Sequence, residues 1–188
     1  MNTEEVKALL KDHAKMQAYL EKMFNELDKD KKGFLVPDQI KAGVKQKLSG
    51  GGIPIIPEDP ERQAEFLKVA DPSNSGKVTL DGFKAAAKHL REKAIEVVKD
   101  PAKLKAEVKR VFTRLDIKKQ GFLDLAVIEE IDAKVLDLHL PIPKLTAEQK
   151  EKIKKLADPN GTGKVTEEGL LALVNAVVEK MKGEGFFQ

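Results

Sequence analysis

The chain has 188 residues, with 34 Lys and Arg against 31 Asp and Glu, which gives a formal net charge of +3. This near balance, without aromatic residues interleaved among the lysines, argues against a nucleic-acid partner. Cysteine is absent, which excludes disulfides and thiolate metal sites. No segment approaches the ~20 consecutive apolar residues of a membrane span, so we expect a soluble, cytoplasmic protein.

The first part of the chain carries apolar residues at spacings of three and four, which predict one helix from about Thr3 to Leu27. His13 falls on this apolar stripe and is expected at the edge of a core. Pro37 suits the first position of a second helix, because its fixed φ and missing N–H fit there. That helix should end at the serine and glycines of 49–52.

Later helices are predicted from their start signals. The signals are Asp59 before Pro60, Thr79, Asp100 before Pro101, and the capping-box pair Thr146 and Gln149. The last helix is strongly apolar on one side and extends to about Met181. The tail at 186–187 is expected to fray, with occupation of a groove in the same chain as the alternative.

Four loops between these helices share one frame. Each begins with Asp at position 1 and has Gly at position 6 and an apolar residue at position 8. One Asp-rich turn with Gly is common in surface loops, but four in one phase, each flanked by amphipathic helical sequence, is a strong signal. The loops are 28–39, 71–82, 116–127 and 158–169.

With this pattern the chain resembles the EF-hand (calmodulin-like) superfamily over nearly its whole length. The resemblance implies an all-α fold of about eight helices in two lobes, each a pair of helix–loop–helix units (hands). The N-terminal pair would cover 1–99 and the C-terminal pair 100–188. A short antiparallel bridge between paired loops is also implied, through the position-8 residues: Leu35 with Val78, and Leu123 with Val165.

Two of the loops are candidates for binding calcium. EF-hand loops use oxygens at positions 1, 3 and 5, a backbone carbonyl at 7, often a water at 9, and a bidentate Glu at 12. Loops 71–82 and 158–169 carry oxygens at these places, but position 12 is Gly82 or Gly169. The candidate metal ligands are Asp71, Ser73, Ser75, Lys77, Thr79, Asp158, Asn160, Thr162, Lys164 and Thr166, with the two lysines acting through their backbone carbonyls.

Loops 28–39 and 116–127 are expected not to bind calcium. Lys32 stands at position 5 of the first and Lys118 at position 3 of the second, so an ammonium replaces an oxygen ligand. Position 12 of loop 28–39 is Gln39, which lacks the charge of the usual Glu.

Two interpretations of the better loops stay open at this point. Asp71 and Asp158 could close their loops through Asx-type turns, with no ion bound. Alternatively, the loops could bind calcium weakly, at ~10⁻⁴ M or worse, because each supplies a single carboxylate where sensors supply three or four.

The sequence therefore favours a non-enzymatic EF-hand protein with degenerate loops, acting as a protein-interaction or structural module. Its cofactor would be none or weakly bound Ca²⁺, its partner an amphipathic helix of another protein, and its state a monomer. The alternative is a genuine calcium sensor or buffer that uses 71–82 and 158–169. No enzyme is expected, because His13, His89 and His139 lie far apart and no nucleophile–base pattern occurs.

Overall fold

The computed structural model describes residues 3–48, 59–126 and 146–186. These ranges are mostly helical, which confirms the all-α class. The elements are α1 (Thr3–Lys11), α2 (His13–Leu27), β1 (Phe34–Leu35), α3 (Pro37–Leu48), α4 (Pro60–Ala70), β2 (Val78–Thr79), α5 (Leu80–Lys99), α6 (Pro101–Leu115), β3 (Leu123–Asp124), α7 (Ala147–Ala157), β4 (Lys164–Val165) and α8 (Glu167–Gly183). The predicted helix end at 49–52, His139 and Phe187 lie outside the described residues.

The prediction of one unbroken helix from Thr3 to Leu27 is wrong at Asp12. This residue has an extended backbone, with φ −103° and ψ 107°, and it separates α1 from α2. Its carboxylate accepts a hydrogen bond from the backbone N–H of Lys15 at 3.1 Å, so Asp12 caps α2. The apolar spacing continues across the break, and therefore did not reveal it. His13, expected at a core edge, is exposed as the first residue of α2.

The predicted start signals of the later helices are confirmed. Side-chain oxygens accept hydrogen bonds from first-turn N–H groups, which have no partner inside their own helix. Asp59 accepts from Glu61 and Arg62, Thr79 from Gly82, Asp100 from Ala102 and Lys103, and Thr146 with Gln149 forms a complete capping box.

Each pair of loops is joined by the predicted two-residue bridge. Leu35 lies opposite Val78 in the antiparallel pair β1–β2, and Leu123 lies opposite Val165 in β3–β4. These four side chains are between 0% and 4% exposed. The bridges therefore belong to the cores and hold the loops of each pair side by side.

The described residues divide into two compact units between Ala94 and Ile95. The predicted boundary between 99 and 100 falls later, at the end of α5, and stays a prediction. In the N-terminal unit the core is centred on Phe83, whose ring meets those of Phe24 and Phe66 edge-on, with centroids 6.0 Å and 5.6 Å apart.

The C-terminal unit buries the apolar faces of α6 and α8. Its buried residues include Leu104, Val108, Val111, Phe112, Leu170, Val174, Val177, Val178 and Met181. No helix in the described part of the chain is both long and apolar enough to cross a bilayer.

The C-terminal tail folds back onto this unit at Phe186. Gly185 has a φ of +75°, and the N–H of Phe186 donates to the carbonyl of Met181 at 3.0 Å, a common way for a helix to end. The Phe186 side chain is only 4% exposed. The expected fraying is therefore wrong for Phe186, because Gly185 reverses the chain and the Phe186 ring is buried.

Candidate metal-binding loops

The position-1 aspartate closes each of the four loops onto its position-6 glycine. In every loop one carboxylate oxygen accepts the glycine N–H, and each glycine has a φ between +74° and +76°, which side chains with a Cβ rarely adopt. The distances are 2.8 Å for Asp28 and Gly33, 2.7 Å for Asp71 and Gly76, 2.7 Å for Asp116 and Gly121, and 2.6 Å for Asp158 and Gly163.

In loop 71–82 the side chains at positions 1, 3 and 5 are in direct contact. The hydroxyls of Ser73 and Ser75 donate to the second Asp71 oxygen at 2.8 Å and 3.0 Å. Desolvation would raise the pKa of Asp71, but hydrogen bonds from Ser75, Ser73 and Gly76 outweigh it and lower the pKa to about 2. The carboxylate is therefore ionised at neutral pH, and the three predicted ligands lie together.

Loop 158–169 has a similar arrangement around Asp158. The backbone N–H and the hydroxyl of Thr162 both donate to one Asp158 oxygen, at 3.0 Å and 3.1 Å. These bonds, led by the Thr162 N–H, lower the pKa of Asp158 below its usual value. Asp158 is 8% exposed, whereas Asn160 at position 3 is exposed.

The position-9 threonines have a second task in both loops. Thr79 accepts the N–H of Gly82, and Thr166 accepts the N–H of Gly169, both at 3.2 Å. Each hydroxyl therefore caps the helix that leaves its loop. A ligand role for these residues would share the hydroxyl with the cap.

The position-7 lysines, predicted as carbonyl ligands, direct their ammonium groups towards the partner loop. Lys77 Nζ lies 4.9 Å from the ring centroid of Phe34, and Lys164 Nζ lies 4.3 Å from that of Phe122. The same cation–π pair thus flanks both bridges. It places a positive charge at the edge of each candidate loop.

Loop 28–39 supplies its own cation. The Lys32 ammonium lies 2.6 Å from the Asp30 carboxylate, and this bond holds the pKa of Asp30 below its usual value. The Gln39 amide at position 12 donates to the other Asp30 oxygen at 3.3 Å and to the carbonyl of Leu27 at 3.4 Å. The predicted loss of ligands in this loop is therefore accompanied by polar contacts among the side chains at positions 3, 5 and 12.

The sequence relatives that decide the family are lobster troponin C proteins. The chain is 31% identical to troponin C isoform 1 of Homarus americanus over 165 residues, which cover 87% of this chain and 97% of that protein. The chain belongs to the troponin C family of EF-hand proteins. Isoforms 2B and 2A of the same species are 28% and 27% identical, over 163 and 157 residues, covering 86% and 83% of this chain and 96% and 92% of theirs.

No protein-family model matches the chain. Two solved structures are similar to it: a homolog of programmed cell death 6 protein from Leishmania major Friedlin and the Physarum polycephalum myosin II regulatory domain. The first is 16% identical with a TM-score of 0.34, covering 99% of this chain and 86% of that one. The second is 14% identical with a TM-score of 0.30, covering 83% and 94%. Both scores are low, so the family assignment rests on the troponin C relatives.

Position 12 of this troponin C-like chain has a role that the sequence did not reveal. A Cβ at Gly82 would lie 2.0 Å from the carbonyl oxygen of Ala70, and one at Gly169 would lie 2.1 Å from that of Ala157. Both are the last residues of the preceding helices, α4 and α7. The glycines therefore allow a close approach between two helices, in addition to lacking a ligand. Only their pairing with a small residue just before position 1 could have indicated this.

Among the described residues, no group of three or more His, Asp or Glu side chains is arranged to hold a metal ion. The candidate site in each of loops 71–82 and 158–169 is one carboxylate with hydroxyl and backbone oxygens. Such a set suits a hard cation such as calcium, at low charge density.

Proposed function

We propose that this troponin C-like protein is a non-enzymatic interaction module that binds calcium weakly through loops 71–82 and 158–169 and not through 28–39 and 116–127. One observation carries the proposal most directly. At position 12, where an EF-hand places its bidentate Glu, Gly82 and Gly169 lie against a backbone carbonyl of the preceding helix.

Loops 28–39 and 116–127 support the proposal through the lysines at their ligand positions. In loop 28–39 the Lys32 ammonium already neutralises Asp30, and a divalent cation would have to displace it. In loop 116–127 Lys118 stands at the position-3 ligand site, so a positive charge replaces an oxygen ligand there.

Loops 71–82 and 158–169 support weak binding. Asp71 and Asp158 each contribute the single carboxylate among positions 1, 3, 5, 9 and 12. Affinity in EF-hands depends on ligand charge and rigidity, so we expect dissociation constants of ~10⁻⁴ M or weaker. Lys77 and Lys164 add a positive charge near each loop, which further lowers the attraction for a dication.

Family membership supports calcium over the absence of any ligand, and it supports a non-enzymatic role.

The proposed partner is an amphipathic helix of another protein, which a pair of helix–loop–helix units can receive in a groove. A monomeric, cytoplasmic protein completes the proposal. Binding of such a helix should be nearly the same in 1 mM calcium and in chelator, and calorimetry in the two buffers tests this.

The deciding experiment is a calcium titration of metal-stripped, ¹⁵N-labelled protein, followed by its amide spectrum. The position-6 glycines Gly76 and Gly163 report on the candidate loops, and Gly33 and Gly121 are the matched controls. We expect Gly76 and Gly163 to shift only at about 0.1 mM calcium or above and the controls to stay in place. Saturation of Gly76 and Gly163 at micromolar calcium would contradict the proposal.

The alternative function, a calcium sensor or buffer, has one observation in its favour. The hydroxyl oxygens of Ser73 and Ser75 already lie within 3.0 Å of one oxygen of the ionised Asp71 carboxylate, so three of the candidate ligands are already gathered at one point of the loop. A sensor would show micromolar saturation together with large shifts along α4 and α5. A buffer would show the saturation without those shifts.

A further inference from the structure

In the second hand, and again in the fourth, the helix before the loop contacts the helix after it without any side chain. Gly82 lies in the first turn of α5, and the hydrogen that replaces its Cβ points at the carbonyl oxygen of Ala70, the last residue of α4. Gly169, in the first turn of α8, meets Ala157, the last residue of α7, in the same way. We call this the glycine–carbonyl contact.

The distances leave no room for any other residue at these positions. A Cβ would lie 2.0 Å from Ala70 O and 2.1 Å from Ala157 O, whereas real Cβ atoms essentially never come within 3.0 Å of a neighbour. A backbone carbonyl at the end of a helix cannot turn aside as a flexible side chain can. Replacing either glycine therefore requires the two helices to move apart.

Position 12 of the first hand contacts the equivalent carbonyl by other means. There the Gln39 amide donates to the carbonyl of Leu27, the last residue of α2, at 3.4 Å. In all three hands with a described position 12, this residue touches the end of the preceding helix. The residue that would bind an ion thus joins the two helices directly.

We propose that the glycine–carbonyl contact is a conformational lock, which holds the two helices of the second hand, and those of the fourth, in one arrangement with or without calcium. In sensor EF-hands, calcium binding opens the angle between the two helices. Here the contact takes the place of the ion-bound Glu, so an ion bound in the loop does not move the helix that follows the loop. This inference deepens the proposed function and rests on it.

The lock is tested first by Gly82→Ala and Gly169→Ala, with Gly183→Ala as the matched control. Gly183 also lies in a helix, but its added Cβ would meet nothing within 4 Å. Alanine is favoured over glycine in a helix, so the control should keep or raise Tm. The two test variants should lower Tm by roughly 5–10 °C, because the added methyl separates the helices.

A result in which Gly82→Ala and Gly169→Ala are as stable as Gly183→Ala would overturn the lock. Failure of a test variant to fold, with the control folded, is the largest form of the expected loss. The sign of the effect therefore decides, since helix propensity and the contact predict opposite changes.

The second test restores the missing ligand with Gly82→Glu and Gly169→Glu. If position 12 lacked only its carboxylate, the variants should bind calcium roughly a hundredfold more tightly than the natural chain, at unchanged Tm. The lock predicts a gain below about tenfold and a lower Tm, because the Glu side chain enters only when the helices separate.

These measurements separate the lock from the proposed function. If the Glu variants bind calcium tightly and keep the Tm of the unsubstituted protein, the lock is contradicted, but weak binding by the unsubstituted protein is not. If the unsubstituted protein binds calcium at micromolar concentration, the proposed function is contradicted. The Ala variants would still show whether the contact holds the helices.

Discussion

At the scale of single residues, the position-1 aspartates combine two tasks. Asp71 and Asp158 would be the charged ligands of any bound ion, and each also accepts the N–H of the position-6 glycine and the hydroxyl at position 5. The same carboxylates therefore hold the loops closed without an ion. The sequence left two interpretations open, loop closure without an ion and weak calcium binding, and both involve the same two carboxylates.

The lowered pKa of Asp71 predicts a loss of stability in acid. Its carboxyl has a pKa of about 2 in the fold, against roughly 3.9 in an unfolded chain. Between these values the unfolded chain binds more protons, so stability is present above pH ~4 and is lost as pH falls towards 2. We expect Asp71→Asn to flatten this dependence in urea unfolding series. Above pH ~5 the two curves should run parallel, and equal slopes at pH 2–4 would contradict the assignment.

Phe83 should be among the most costly residues to truncate in the N-terminal unit. Its side chain is 0% exposed and contacts the rings of Phe24 and Phe66. We expect Phe83→Ala to lower the free energy of unfolding by about 3–5 kcal/mol, because it removes buried surface and leaves a cavity. Ile117→Ala is the control, since Ile117 is 86% exposed and should change stability by under about 0.5 kcal/mol. Equal losses in urea unfolding would show that Phe83 is not a core residue.

At the scale of elements, helix starts that follow a break in the apolar pattern are set locally, whereas a start within a continuous apolar stripe is not. The caps at Asp59, Thr79, Asp100 and Thr146 follow from their own side chains. By contrast, the break at Asp12 separates two helices whose apolar spacing reads as one. Asp12 is itself a good capping residue, but a cap inside a continuous stripe competes with the helix, and the sequence does not tell which of them forms.

The cap of α6 gives a prediction at this scale. Asp100 Oδ1 accepts the N–H groups of Ala102 and Lys103 at 2.9 Å and 3.2 Å. Asp100→Ala should cost about 1 kcal/mol of unfolding free energy, because these donors lose their acceptor. The control is Glu92→Ala in the exposed middle of α5, where the pair with Lys88 is long, at 3.8 Å, and worth little. A cost no larger than that of the control, by thermal unfolding, would contradict the cap.

At the scale of the whole molecule, calcium should stabilise the fold only slightly. A ligand raises the unfolding free energy by RT ln(1 + [L]/Kd), so a site with a Kd of ~10⁻⁴ M gains about 1.4 kcal/mol in 1 mM calcium. A sensor site with a Kd of ~10⁻⁶ M would gain about 4.1 kcal/mol. We expect the smaller value per site by calorimetric unfolding, measured against chelator. The larger value would identify a working sensor.

The four loop frames, the family, the helix starts marked by Asp59, Thr79, Asp100 and Thr146, and the bridging pairs were determined by the sequence, because each depends on residues close together in the chain or on a pattern repeated four times. The contact of Gly82 with Ala70 and of Gly169 with Ala157, the exposure of His13 and the burial of Phe186 were decided only by the tertiary structure. A glycine in a sequence indicates freedom or a missing side chain. Whether that space is empty or filled depends on another helix, and only the packed fold brings the Ala70 carbonyl to within 2.0 Å of it.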